Sequence, residues 1–115
     1  LAAFATDLDD ALDDVLVLCV TEFGRTVAEN GTGGTDHGSA TCLLALGGPV
    51  VRRKSDGPVL GEWPGLARDE LQDDRDLRLT TDYRDVLGEV LRGPLGNAHA
   101  ADVLGGRELR GVGLV

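Results

Sequence analysis

The chain has 115 residues, 42% of them hydrophobic and 27% charged, an ordinary balance for a folded globular protein that excludes disordered, collagen-like and other low-complexity classes. Its 17 glycines and 3% aromatic content predict many loops and tight turns. The net charge of -9, with acids gathered in residues 7–14 and 69–76, repels phosphate backbones and anionic lipid, so no nucleic-acid partner is expected.

Leu1, Phe4 and Leu8 recur at helical spacing in LAAFATDL, which predicts the end of an amphipathic helix. Residues 9–14 make a polar connection. VLVLCV at 15–20 follows, six apolar residues without alternation, as a strand buried on both faces of a parallel sheet requires. Helix, polar turn and buried strand are half of an α/β unit. Next come Thr21-Glu22-Phe23-Gly24-Arg25 and then a polar, glycine-rich loop, NGTGGTDHG at 30–38. TCLLAL at 41–46 reads as a second strand, stopped by Gly47-Gly48-Pro49. Cys19 and Cys42 lie in these two apolar runs and read as buried free thiols, a disulfide requiring the strands to sit at bridging distance.

Residues 50–64 are basic and then turn-rich, which predicts a hairpin or excursion around Asp56-Gly57-Pro58, and residues 69–76 read as a solvated acidic stretch. Thr80-Thr81-Asp82 has the chemistry of a helix N-terminus, with Thr or Asp as cap. Tyr83, Val86, Leu87, Val90 and Leu91 then form an apolar stripe at i, i+3, i+4, i+7 and i+8, ended by Gly93-Pro94. His99 has no partner in sequence and reads as a surface or packing residue. The glycine-rich tail, 105–115, is weakly patterned. No apolar run approaches the roughly 20 residues of a membrane span.

Two apolar strands and two helices cannot cover a doubly wound sheet, and VLVLCV left at an edge would be an aggregation hazard. The missing neighbours are expected from an N-terminal segment of the same domain or from another subunit; the first is favoured, which makes residues 1–115 the C-terminal fragment of a single larger α/β domain. The sheet would be mostly parallel and flanked by helices, and the principal partner would be the N-terminal part of the same domain.

Ligands in open α/β sheets bind beyond the carboxyl ends of the strands. Glu22 and Arg25 fall there, and Asp36 and His37 lie in the loop before the second strand. Two carboxylates and an imidazole converging on one sheet edge are metal-ligand chemistry, and Arg25 would hold an anionic substrate oxygen. The blander alternatives are a surface Glu22–Arg25 ion pair, an Asx turn at Asp36 and a His37 satisfied by backbone groups. No phosphate-loop or dinucleotide fingerprint is present, nor a Gly-x-Ser-x-Gly nucleophile elbow.

Thr21-Glu22-Phe23-Gly24-Arg25-Thr26, the run from Glu29 to Gly38 (ENGTGGTDHG), Gly61-Glu62-Trp63-Pro64 and Leu79-Thr80-Thr81-Asp82-Tyr83-Arg84 resemble, in order and spacing, the C-terminal part of the domain-of-unknown-function 1501 family. The resemblance runs from about Leu1 to Gly106. It implies an alkaline-phosphatase-like or sulfatase-like fold and an exported bacterial protein, hence a periplasmic or extracellular location. It also implies chemistry on phosphate or sulfate esters at a site holding a divalent metal such as zinc, manganese or calcium. In those relatives a strand ends in Thr-x-Asp-His-Gly. Here Thr21-Glu22-Phe23-Gly24 stands in that place, with Glu22 for Asp and Phe23 for His. Asp36-His37 then takes the place of the downstream ligand histidine, or is itself the Asp-His pair. The resemblance thus assigns Glu22, Asp36 and His37 as metal ligands and Arg25 as the substrate-orienting residue, with the nucleophile upstream of Leu1. The expected function is metal-dependent hydrolysis of an anionic ester by the intact protein. The alternative is a non-catalytic binding or assembly protein with a decayed metal site, a reading to which Phe23 lends weight.

Overall fold

A computed structural model describes residues 1–51 and 57–115, so residues 52–56 of the excursion expected within 50–64 lie outside the described residues. The chain is mixed α/β, with three α-helices and small antiparallel sheets among the described residues. It divides into two compact units, one formed by Leu1–Leu18, Ala45–Leu60 and Asp82–Val115, the other by Cys19–Leu44 and Gly61–Thr81.

In the first unit the predicted N-terminal helix is present as α1 (Ala2–Leu8), followed by a 3-10 turn over Asp9–Asp14 where a polar connection was expected. The first apolar run gives β1 (Leu16–Cys19). It pairs in a two-stranded sheet with β4 (Leu44–Gly47), which is the second apolar run shifted toward its C-terminus. The backbone of Gly47 at the end of β4 lies against Val15 and Leu16 at the start of β1, so the two strands run in opposite directions. All four residues of β1 are half-buried rather than enclosed on both faces. A covered parallel sheet is therefore absent among the described residues. Both thiols are free, Cys19 half-buried and Cys42 exposed.

The second predicted helix forms as α2 (Tyr83–Arg92). Asp82 is its cap, accepting the Arg84 amide at 2.9 Å, and Gly93 ends it. The apolar stripe explains only part of its buried face. Val90 is buried and Val86, Leu87 and Leu91 are half-buried, but Tyr83 is 58% exposed. The other buried positions are Asp85 and Gly88.

The covering element is the tail. Leu109 packs over Gly88, and the Arg92 guanidinium donates to the Leu109 carbonyl at 3.4 Å. Asp85 takes the Arg107 guanidinium at 2.7 Å and the Arg110 amide at 3.0 Å. One carboxylate, Glu89, accepts the amides of Val112, Gly113 and Val115 at 2.6, 2.9 and 2.9 Å. Leu114, buried beneath this clasp, gives its carbonyl to the Val51 amide. The short helix α3 (Ala100–Val103) buries Ala100, and His99 at its start is exposed beside Asp102. No helix among the described residues is long and apolar enough to cross a membrane.

The cap of α2 carries a pH dependence. The Arg84 side chain, outweighing a burial cost that would raise it and aided by the Arg84 amide, lowers the Asp82 carboxyl from 3.8 to about 2. A carboxyl depressed on folding stabilises the fold above its unfolded value and loses that contribution as pH falls through the folded one. The first turn of α2 is therefore expected to loosen between about pH 4 and pH 2, read from amide resonances of residues 83–85. An Asp82→Asn chain is expected to lack that transition.

Candidate functional site

The second unit carries every residue that the sequence singled out for chemistry. Gly24–Arg25 forms β2 and His37–Gly38 forms β3, and they pair antiparallel with Gly24 opposite Gly38 and Arg25 opposite His37. The two glycines face each other for a steric reason. A Cβ on Gly24 would run into the Ala40 carbonyl, and one on Gly38 would stand 2.6 Å from the Arg25 carbonyl carbon. The backbones approach so closely that neither position has room for a side chain.

On one face of this pair lie three side chains. The Phe23 and His37 rings stack with centroids 3.8 Å apart and planes inclined by 25°. The Arg25 guanidinium carbon sits 5.7 Å from the Phe23 ring centre, within cation–π range, and donates a hydrogen bond to the Thr35 carbonyl at 3.0 Å. All three are solvent-accessible. The group is thus a cation, an aromatic ring and an imidazole presented together on one face of the strand pair. Stacking covers a face of the imidazole and leaves its nitrogens, which lie in the ring plane, outside the contact.

Asp36 turns the other way. Its carboxylate accepts the Asn30 amide at 2.9 Å, and its backbone exchanges bonds with Thr26, whose hydroxyl accepts the Asp36 amide at 3.1 Å. Asn30 organises the whole loop: its carbonyl oxygen accepts from the Thr32 amide, the Thr32 hydroxyl and the Gly34 amide at 3.1, 2.9 and 3.0 Å. The glycine-rich run is therefore a self-closed Asx-type loop rather than an open anion cradle. Glu22 is exposed just before β2.

The pairing brings Arg25 and His37 together, as the sequence suggested for the two segments, while Asp36 and His37 diverge. That divergence follows from the chain itself, since successive residues entering a strand point to opposite faces. Among the described residues no three of His, Cys, Asp or Glu lie close enough to hold a metal ion. Glu22, Asp36 and His37 do not by themselves make a ligand set.

Sequence reasoning missed Asp76. It belongs to a stretch expected to be solvated, yet it is only 3% exposed. Asp73 and Asp74, both at φ 55°, turn the chain back, and the Val27 amide bonds to the Arg75 carbonyl at 3.0 Å. Left-handed Asp-Asp is a turn signal that composition alone does not separate from a charged surface run. The Arg75 guanidinium reaches the Asp76 carboxylate at 3.1 Å. Hydrogen bonding and charge from Asp76, outweighing desolvation, and the field of Asp36 hold Arg75 above its ordinary value.

A family model described as a protein of unknown function (DUF1501) matches residues 1–105. No curated protein and no solved structure matches the chain.

Proposed function

Because the chain belongs to the DUF1501 family, we propose that its β2–β3 hairpin is the substrate-facing part of an alkaline-phosphatase-like, exported hydrolase of sulfate or phosphate esters. The observation that carries this reading is the register that sets Arg25 directly opposite His37 on an accessible face. Arg25 offers a planar fork of donors suited to a tetrahedral oxyanion. His37 offers a nitrogen for proton transfer or ligation close to neutral pH. Thr35, which accepts from Arg25, holds the guanidinium beside the Phe23 ring while part of its fork stays available. In this reading a divalent cation (zinc, manganese or calcium) takes either His37 or Asp36 from this chain. Its remaining ligands come from outside the described residues, and it would neutralise charge on the ester oxygens.

A second reading has its own support. Phe23 stacks on His37 and occupies the place that a histidine fills in the phosphatase-like pattern. A binding or assembly protein that kept the frame without the chemistry would look like this.

Metal analysis and pH-dependent hydrolysis of aryl phosphate and aryl sulfate by the intact protein, compared with His37→Ala, separate the two. The hydrolase reading expects stoichiometric metal and turnover, with turnover falling at least tenfold in the variant, as loss of a general acid–base or ligand group requires. A folded, metal-free and inactive parent overturns it in favour of the binding role.

A further inference from the structure

The two strands of the hairpin are short, two residues each, and must be held by something beyond their own pairing. Immediately after β2 comes Thr26, which is buried and bridged antiparallel to Asp76. Immediately after β3 comes Ser39, whose hydroxyl donates to Asp76 Oδ2 at 3.2 Å. One residue therefore fastens both strands just past the C-terminal end of each, at opposite ends of the antiparallel pair, through its backbone to Thr26 and its carboxylate to Ser39. The Gln72–Asp76 bridge closes the turn that delivers it.

The carboxylate is costly where it stands. Its Oδ1 is buried and receives no hydrogen bond among the described residues, so the charge is compensated at Oδ2 alone, by Ser39 and by the Arg75 guanidinium. An asparagine would fill the same volume without a charge. A buried carboxylate satisfied on one side only is a costly way to fill space, and a buried acceptor without a partner calls for a reason in the geometry around it.

We infer that Asp76 is the positioning residue of the hairpin site, fixing the separation of Arg25 and His37 through Thr26 and Ser39 without touching either of them. The functional part of this inference rests on the proposed anionic-ester reading, while the mechanical part stands on the contacts alone. Ser39 is the link that a side chain can break. Thr26 is linked through backbone and survives substitution at Asp76 as long as the turn survives.

Amide hydrogen exchange on the intact protein, together with ester hydrolysis, tests both parts. In Asp76→Ala, exchange at Thr26 and Gly38 is expected to accelerate about tenfold, the scale of one lost charge-assisted hydrogen bond, with α2 unchanged. Asp76→Asn keeps an oxygen for Ser39 but not the charge, and is expected to recover part of the protection. Turnover on an aryl phosphate or sulfate is expected to follow the same order, falling in kcat for Ala and returning in part for Asn. Unchanged exchange in the hairpin of Asp76→Ala overturns the inference. If that variant unfolds throughout, Ser39→Ala, which removes a single hydroxyl, decides: selective acceleration around Gly38 supports positioning, and none overturns it. An inactive parent would defeat the hydrolase reading by its own test and leave the exchange result to judge Asp76.

Discussion

Gly38→Ala is expected to destroy the β2–β3 pair and to destabilise the unit that carries it by about 3 kcal/mol, the upper end of what forced overpacking costs. The reason is local. The new methyl carbon would stand 2.6 Å from the Arg25 carbonyl carbon, 2.7 Å from its oxygen and 2.9 Å from the Thr26 nitrogen, all of them backbone atoms that cannot rotate aside. The strands must separate, and Arg25 and His37 separate with them. Gly24→Ala meets the Ala40 carbonyl in the same way. Gly31→Ala is the control, because no heavy atom lies within 4 Å of a Cβ there. Urea unfolding of the three variants checks the ranking: a large loss for Gly24 and Gly38, and almost none for Gly31. A Gly38→Ala chain as stable as the parent would show that the two strands do not approach as described.

The second large effect is expected at Glu89. Burial alone would raise its carboxyl, but the amides of Val115, Val112, Gly113 and Leu114 outweigh that cost and hold it below its ordinary 4.5. Glu89→Ala strips the acceptor from several amides at once. At 1.5–3 kcal/mol for a hydrogen bond to a charged group, and with less than full additivity, a loss of about 3 kcal/mol follows. Glu89→Gln is expected to fall between, since one oxygen can serve either Val115 or the Val112–Gly113 pair but not both sets. The sign with pH is that of a depressed carboxyl: the clasp is intact above about 4.5 and weakens as acid protonates Glu89. Limited proteolysis within residues 106–115 reads this directly. Asp85, held low by the Arg110 amide against burial and by Arg107, loosens in the same direction.

These two cases divide what a reader of the sequence can see from what stays hidden. Helix α2 was legible because its stripe, its Asp82 cap and its Gly93 stop all agree, and such agreement among local signals is informative. The two apolar runs were legible as strands, and the meeting of the Glu22–Arg25 and Asp36–His37 segments was legible in outline. The arrangement of the strands was not. VLVLCV suits a covered parallel sheet and also suits a half-buried ribbon with β4, since an apolar run specifies burial and leaves direction open. The tail was invisible because carboxylates that accept backbone amides leave no periodicity, and Asp85 and Glu89 look like ordinary solvent-facing positions of an amphipathic helix. Asp76 was hidden for the opposite reason, a single buried acid inside a run of exposed ones. At the site, alternation turns the side chains of Asp36 and His37 to different faces, a constraint that the Asp-His dipeptide already contained.

The facing glycines have a consequence for position 23. Because Gly24 and Gly38 set the frame with bare backbone, none of its geometry depends on the rings of Phe23 and His37. Position 23 holds a flat side chain 37% exposed on that frame, and another flat ring of smaller size would find the same seat. A Phe23→His substitution would thus set a second imidazole beside His37 without disturbing the close backbone approach at Gly24 and Gly38. The same frame can carry either ring next to Arg25.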